Sequence, residues 1–471
     1  MWFIIGAILS FSVTIWVYAL KNPKYNGKLP KGSMGFPFVG ESTQFFAPNP
    51  SFDLSPFIKH RILKYGPIFK TRLVGKPLII SADAELNHII FQKEEELFEC
   101  WYPETFRKIF GVKSVGSLHG FMHKYLKNMI TNVFGIESLK NMISEVEVTS
   151  TTRLKKWASH NDIVELKDEI ANMIFDLSAK RLISYDPEKC GENMRENFVA
   201  FIQGLISFPI DIPGTSYHKC LQGRKRVMRM LENILKERQQ NPREQQVDYF
   251  DFVIQELKKD GTPLTQQVAL DLIFLLLFAS HETTSIALTL AIKFLTDHPH
   301  VLNQLTAEHE GILKKRKNKS DKISWNEYKS MTFTFKFMNE TLRLANIAPG
   351  IFRRALRDVE FKGYTIPEGW AVMVCPPAIH LDPKAFADPL AFNPWRWDEE
   401  QRCDGASKNF MAFGGGIRFC IGADFAKLQM AVFLHHLVTN YKLKPIKGGN
   451  IVRTPGVQFP DGFHVQILNK D

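Results

Sequence analysis

The chain has 471 residues, 45% of them hydrophobic and 23% charged, with a net charge of +11. This balance excludes a disordered chain and permits a large buried core, in which the 38 phenylalanines would pack. The basic excess suits anionic lipid or an acidic partner, and no zinc-finger spacing, helix-turn-helix signal or aromatic RNA-binding strand points to nucleic acid.

Residues 1–20 contain no charged side chain. At about 1.5 Å per residue a helix of that length spans about 30 Å, a bilayer's hydrocarbon core, so a transmembrane anchor is predicted. Lys21, Lys24 and Lys28 follow it and place the remainder on the cytosolic side. No basic residue precedes the apolar stretch and no A-x-A-like site follows, which argues against a cleaved signal peptide. Residues 21–40 form a basic, Pro/Gly-rich linker. Pro30, Gly32, Gly35, Pro37 and Gly40 stop any helix running out of the membrane, giving a stiff elbow.

Residues 41–471 show no composition break or repeat and read as one domain, mainly α with a smaller β portion. Residues 67–82 predict two strands around Gly75-Lys76-Pro77. Most of 120–345 carries helical periodicity. Between Thr265 and Thr296 there is neither Pro nor Gly, with Thr265 as N-cap and His298-Pro299 as the stop. Such a helix should thread the core; Asp271, His281, Glu282 and Lys293 argue against a second membrane span. The run Lys314 to Lys319 reads as a solvated loop, and Glu192-Asn193-Met194-Arg195 as a surface pair. Strand-like runs return at 351–375, and a hairpin is predicted at Phe459-Pro460-Asp461-Gly462.

Six cysteines are too few for a disulfide scaffold in a chain this long, and no C-x-x-C pair supports a zinc or iron–sulfur site. Cys420 differs from the rest by its setting, Phe413-Gly414-Gly415-Gly416-Ile417-Arg418-Phe419-Cys420-Ile421-Gly422. Three glycines let the backbone turn tightly and approach a flat ligand. Arg418 offers a fixed charge to a carboxylate, and Gly422 leaves room beside the sulfur.

The pattern F-x-x-G-x-R-x-C-x-G resembles the haem-binding signature of the cytochrome P450 family at every fixed position, through Phe413, Gly416, Arg418, Cys420 and Gly422. The likeness extends over residues 29–471. It implies the P450 fold, with a long central helix over haem b, and Cys420 as the thiolate ligand of the iron. A thiolate ligand pushes electron density toward bound oxygen. Glu340-Thr341-Leu342-Arg343 then resembles the family's E-x-x-R, with Arg396 as third partner in a buried structural lock. Ala279-Ser280-His281-Glu282-Thr283-Thr284 resembles its oxygen-binding stretch. There Thr283 would hold water or oxygen and Glu282 would relay protons, with Ser280 where the family usually has Gly. Arg353 resembles the propionate-binding arginine, and His123 and Lys127 stand where the family more often has Trp and Arg. By the same analogy Trp101, Phe106, Phe278, Ala279, Ala348, Ile351, Val457 and Phe459 are pocket walls.

The stretches Phe208 to Cys220 and Lys362 to Trp370 resemble plant microsomal members that oxidise sterols, triterpenoids and terpenoid hormones. The expected activity is monooxygenation of an apolar triterpene or sterol with O2. Electrons would come from NADPH through NADPH-cytochrome P450 reductase, an acidic partner for a basic face. The expected location is the endoplasmic reticulum membrane, single-pass, facing the cytosol. Two rival readings are a haem-thiolate isomerase or dehydratase working without external electrons, and a haem-free steroid-binding membrane protein.

Overall fold

The computed structural model describes residues 2–20, 27–36, 39–159, 162–186, 194–205, 209–318, 321–398 and 409–470. Lys21, Lys24, Pro37, Phe38, Cys190, Glu192, Asn193, Phe208, Lys319 and Cys403 lie outside them.

The central helix runs from Gln266 to Asp297. Thr265 caps it, its hydroxyl accepting from Val268 N–H at 3.3 Å. His298 ends it, because Pro299 has no N–H to continue the ladder. Leu272, Ile273, Phe274, Leu277 and Leu288 are wholly buried. Helices packed against it include Leu166–Ile183, Thr332–Ala345, Ser216–Gln240 and Ala423–Asn440. Its charged residues all find partners. Asp271 accepts from Arg224 at 2.5 Å, Lys293 pairs with Asp297 at 3.0 Å, and Glu282 pairs with Lys167 at 3.6 Å.

A five-stranded sheet flanks this helical body. Its order is Ile68–Leu73, Lys76–Ser81, Ala371–Val374, Ile351–Ala355, Phe98–Cys100. The first two strands form the expected hairpin, its loop Val74-Gly75 having φ of 48° and 75°. Two left-handed residues match the twist of the strands. Strands Lys76–Ser81 and Ala371–Val374 run parallel; the other neighbours are antiparallel.

The linker docks on this sheet rather than standing off as a bare elbow. Gly32 bridges Lys70, Gly40 bridges Leu73, and a Cβ on Gly40 would lie 2.1 Å from the Arg72 carbonyl. Trp2–Leu20 is a helix whose described side chains are mostly exposed and apolar. Among the described residues, the helix long and apolar enough to cross a membrane is the central one, 72% buried in the body; Trp2–Ile15 is apolar but shorter.

Three local expectations are corrected. A turn does form at Phe459–Gly462, where Gly462 N–H donates to the Phe459 carbonyl at 3.1 Å, but the strands beside it do not pair. Val457–Gln458 joins Val452–Arg453, whereas Phe463–Asn469 joins Tyr441–Gly448 and Ile163–Glu165. Pro460 has no donor, and Phe463 N–H is taken by Glu165 at 2.9 Å. The basic run is not wholly solvated: Arg316 is buried against Glu327, at 2.6 Å. Arg195 is buried as well, facing helix Leu166–Ile183 and pairing with Asp168 at 3.0 Å.

Candidate active site

The central helix, the cysteine loop and the sheet edge enclose a cavity of about 440 Å³. The loop closes on itself: Cys420 N–H donates to the Phe413 carbonyl at 3.0 Å, and Gly414 N–H to Met411 at 2.9 Å. Gly416 has φ of +64°, and a Cβ there would lie 2.1 Å from the Phe91 carbonyl, so glycine is required. Cys420 keeps accessible surface toward the cavity, while protein atoms crowd round its sulfur from behind. Burial pushes its thiol up from the ordinary value, and the Gly422 N–H opposes this by favouring the thiolate. The helix Ala423–Asn440 starts three residues later, so its positive end lies near the sulfur.

A cationic rim flanks the loop. Arg353, Arg418, Lys127 and His123 all line the cavity. Lys127 is tied to the loop through the Ile417 carbonyl at 2.8 Å. Burial, then Arg418 and Lys127, lower the His123 pKa to about 4, leaving a neutral ring at pH 7. Its Nδ1 is buried without a hydrogen-bond partner among the described residues.

On the opposite wall stand Ala279, Ser280, Thr283, Thr284 and Ala287. The Thr283 hydroxyl donates back to the Ala279 carbonyl at 3.1 Å and remains open to the cavity. The Ser280 hydroxyl makes a 3.4 Å bond to Leu277, and the α-helix continues unbroken through it. Glu282 is not on this wall. It lies behind it, buried, against Lys167. Burial raises its pKa, with Lys167 as the main opposing influence. Lys167 in turn lies 3.9 Å from Asp168, whose side chain is 62% exposed.

Glu340 and Arg343 form the buried lock, both with no exposed side-chain surface. The Glu340 carboxylate also accepts from Arg396 at 3.0 Å and from Trp397 Nε1 at 3.0 Å. Arg343 donates to the carbonyls of His380 and Pro389 at 2.8 and 2.7 Å.

Of the expected wall residues, Ala279, Ala348 and Ile351 line the cavity. The others lie outside its lining. Trp101 packs edge-on to Phe352, Phe106 stacks on Tyr102, and Phe278 meets Phe110 in an aromatic cluster. Val457 is buried in its short strand pair, and Phe459 packs partly buried on the core. Lining residues missed by the sequence reading include Cys100, Tyr102 and Thr284, together with Ile130 and Phe134 one turn apart on the helix that carries His123.

The residues fit haem. A thiol faces a cavity flanked by three cations, and the buried Nδ1 of His123, unpartnered among the described residues, would suit a propionate oxygen. A Cβ on Gly415 would lie 2.6 Å from the Phe91 ring, so the loop packs tightly behind the space a flat macrocycle needs.

Residues 30–464 match the family model "Cytochrome P450". The chain is 56% identical to Cytochrome P450 87A3 of Oryza sativa subsp. japonica over 458 residues, covering 97% of this chain and 89% of that protein. It is 41% identical to the Beta-amyrin 16-alpha-hydroxylase CYP87D16 of Maesa lanceolata, covering 99% and 98%. Among solved structures, a retinoic acid bound cyanobacterial CYP120A1 superposes with a TM-score of 0.83 at 28% identity, covering 94% of this chain and all of that one. The folded lock, the thiol-lined cavity and these likenesses agree: the chain belongs to the cytochrome P450 family and is a haem-dependent monooxygenase that draws electrons from a redox partner.

Proposed function

We propose that this enzyme hydroxylates, or oxidises further, a triterpene or sterol skeleton at the endoplasmic reticulum membrane. Electrons come from NADPH through a membrane-bound flavoprotein reductase. The observation that carries the reading is the cavity. Its walls are largely apolar, with Ile130, Phe134, Leu275, Leu276, Ile347 and Ile351 among them. An apolar polycycle recovers about 25 cal/mol for each Å² it removes from water there. The β-amyrin named for one relative belongs to that chemical class. The exposed apolar helix Trp2–Leu20 supports a single-pass anchor with the body on the cytosolic side.

When bound to Cys420, haem supplies the oxygen-activating chemistry. The chain's own residues do the rest. Arg353, Arg418, Lys127 and His123 would hold its propionates. Phe413, Gly416 and Gly422 would shape the loop that receives it. Thr283 Oγ1 holds a water on the opposite wall. Glu282 stores a proton behind that wall and exchanges it with solvent along Lys167 and Asp168. Glu340, Arg343 and Arg396 keep the scaffold rigid.

The test uses the full chain in membranes, reduced and exposed to carbon monoxide. A Soret band shifted to the red is expected from the wild type and not from Cys420→Ala. A reductase and NADPH should then add oxygen to β-amyrin or a sterol. A band at the ordinary His-ligated position, or turnover of a fatty hydroperoxide without NADPH, refutes the reading.

A further inference from the structure

The cavity rim presents three cations, Lys127, Arg353 and Arg418, and no carboxylate among its described lining residues. A carboxylate nevertheless lies directly behind it. Glu94 is buried, with its side chain 1% exposed. Its Oε2 accepts from Arg353 Nε at 3.0 Å, and its Oε1 accepts from Arg418 Nε. We propose that Glu94 is a positioning residue that clamps both propionate-binding arginines and sets the charge of their cradle. The proposal rests on the haem-thiolate reading of the site.

Geometry argues for the clamp first. Each arginine surrenders its Nε to one carboxylate oxygen, which fixes the plane of the guanidinium. The remaining Arg418 nitrogens bond the Val115 and Leu118 carbonyls at 3.3 and 2.7 Å. Arg353 Nη1 bonds the Phe352 carbonyl at 2.9 Å. Two like-charged guanidiniums held this close, both largely buried, need an anion between them. Glu94 supplies it without entering the cavity.

Charge balance argues next. Three cations less one carboxylate leave two positive charges, the reverse of the two propionates of haem b. Without Glu94 the cradle would carry one charge too many in a poorly solvated place.

The chain also builds the turn to deliver it. Helix Ala84–Gln92 ends on Lys93, whose carbonyl accepts from Leu97 and Phe98 at 2.8 and 3.2 Å. Glu95 is held at φ of +71°, a strained conformation for a residue with a Cβ. Its carboxylate accepts from Gly120 N–H at 2.9 Å, at the start of the helix that bears His123 and Lys127. Two residues before Lys93, Phe91 packs on Gly415 and Gly416 of the cysteine loop. A single acidic turn therefore touches every element that contributes a cation to the rim.

The experiment compares full-length wild type, Glu94→Gln and Glu94→Asp as holoproteins. It measures haem transfer to apomyoglobin, the iron reduction potential and urea stability. Glu94→Gln should lose haem at least about tenfold faster, equivalent to ~1.4 kcal/mol. Its potential should rise, because losing a negative charge favours the reduced iron. Glu94→Asp keeps the charge but cannot reach both arginines. It should lose haem faster with the potential near wild type, a split that a purely structural residue would not show. If Glu94→Gln fails to fold, the haem-loss rate of Glu94→Asp decides alone. Wild-type haem retention and potential in Glu94→Gln, beside a normal red-shifted wild-type band, overturn the clamp only. A wild type without that band overturns the haem-thiolate reading and the clamp with it.

Discussion

Glu340→Gln is the substitution whose cost can be worked most directly from the structure. The Glu340 carboxylate is fully buried and accepts five hydrogen bonds. Oε1 serves Arg343 Nη2, Arg396 Nε and Asn393 N–H; Oε2 serves Arg343 Nε and Trp397 Nε1. Glutamine keeps the volume but turns one oxygen into a donor. Whichever oxygen is replaced, at least two donors then face a donor, and Arg343 stays buried without its counterion. Breaking a buried pair in this way costs about 3–5 kcal/mol, a large part of the ~5–15 kcal/mol that holds a native protein together. With a urea slope of about 3 kcal/mol/M, the midpoint falls by about 1 to 1.7 M. The loss should reach the cysteine loop. Arg343 holds the His380 carbonyl, His380 Nε2 accepts from Met411 N–H at 3.0 Å, and the Met411 carbonyl accepts from Gly414 at the start of the loop. Urea titrations followed by far-UV circular dichroism and by the haem-thiolate band should therefore move together. A midpoint within about 0.2 M of wild type, or a haem band that fails independently of the helices, would refute the argument.

Two further predictions concern protons. Glu282→Gln should lower turnover, on the order of 10²-fold for a lost proton donor, with haem content intact; unchanged turnover across the pH range would exclude the role. Burial raises the Glu282 pKa, so its contribution to stability is present below the ordinary glutamate range and is lost as pH rises through the raised value. Glu282→Gln should accordingly keep or gain thermal stability at neutral pH while losing activity, which differential scanning calorimetry checks. In Lys167→Met the main opposing charge is gone, so the pKa rises further and the alkaline limb of the rate profile moves to higher pH. The second prediction is acid sensitivity. Burial lowers His309 to about 3 and His435 to about 2. Their Nδ1 atoms lie 3.0 Å apart, so one donates and one accepts, and an added proton sets donor against donor. Thr334 Oγ1 lies 3.1 Å from His309 Nε2 and donates to Glu308, while His436 and Arg316 act on His435 as nearby positive charges. The stability is present above the unfolded imidazole value and is lost as pH falls from about 6.5. Each ring contributes a slope of ~1.4 kcal/mol per pH unit, and His309→Gln should remove one ring's share in urea titrations at pH 5–6.5.

The cysteine loop was legible because its fixed residues are contiguous and each answers to a local demand: Gly416 to a left-handed φ, Cys420 to a ligand, Arg418 to an anion. The central helix was legible from its Thr265 cap and the absence of Pro and Gly. Glu94 was not. In sequence it is one acid in the charged run Lys93 to Glu96, and no local motif singles it out. Its partners stand 259 and 324 residues away, so only folding joins them. The misplaced hairpin has the same origin: the turn chemistry at Phe459–Gly462 is local, but the strand partner of Phe463–Asn469 is chosen by the sheet.

The acid–threonine pair shows how much helical phase adds to a motif. Successive residues on a helix point about 100° apart, and that turn carries Glu282 off the stripe of this helix that lines the cavity while Thr283 stays on it. Leu276, Ser280, Thr283, Thr284 and Ala287 follow the i, i+4, i+7, i+8, i+11 spacing of one stripe, and all of them line the cavity. Phe278, His281, Glu282 and Ser285 lie off it. Phe278 joins the aromatic cluster, and His281 and Ser285 bond back to helix carbonyls. The reacting space therefore sees a hydroxyl, while the acid is kept dry on the far side and opens toward Lys167 and the surface. On the proposed role, a proton from Glu282 would have to pass round the helix to reach the Thr283 hydroxyl rather than straight across. The two residues then fail differently: Thr283→Val should sever the link at the cavity wall and leave the pH profile in place, whereas Lys167→Met should shift the profile and leave the wall intact.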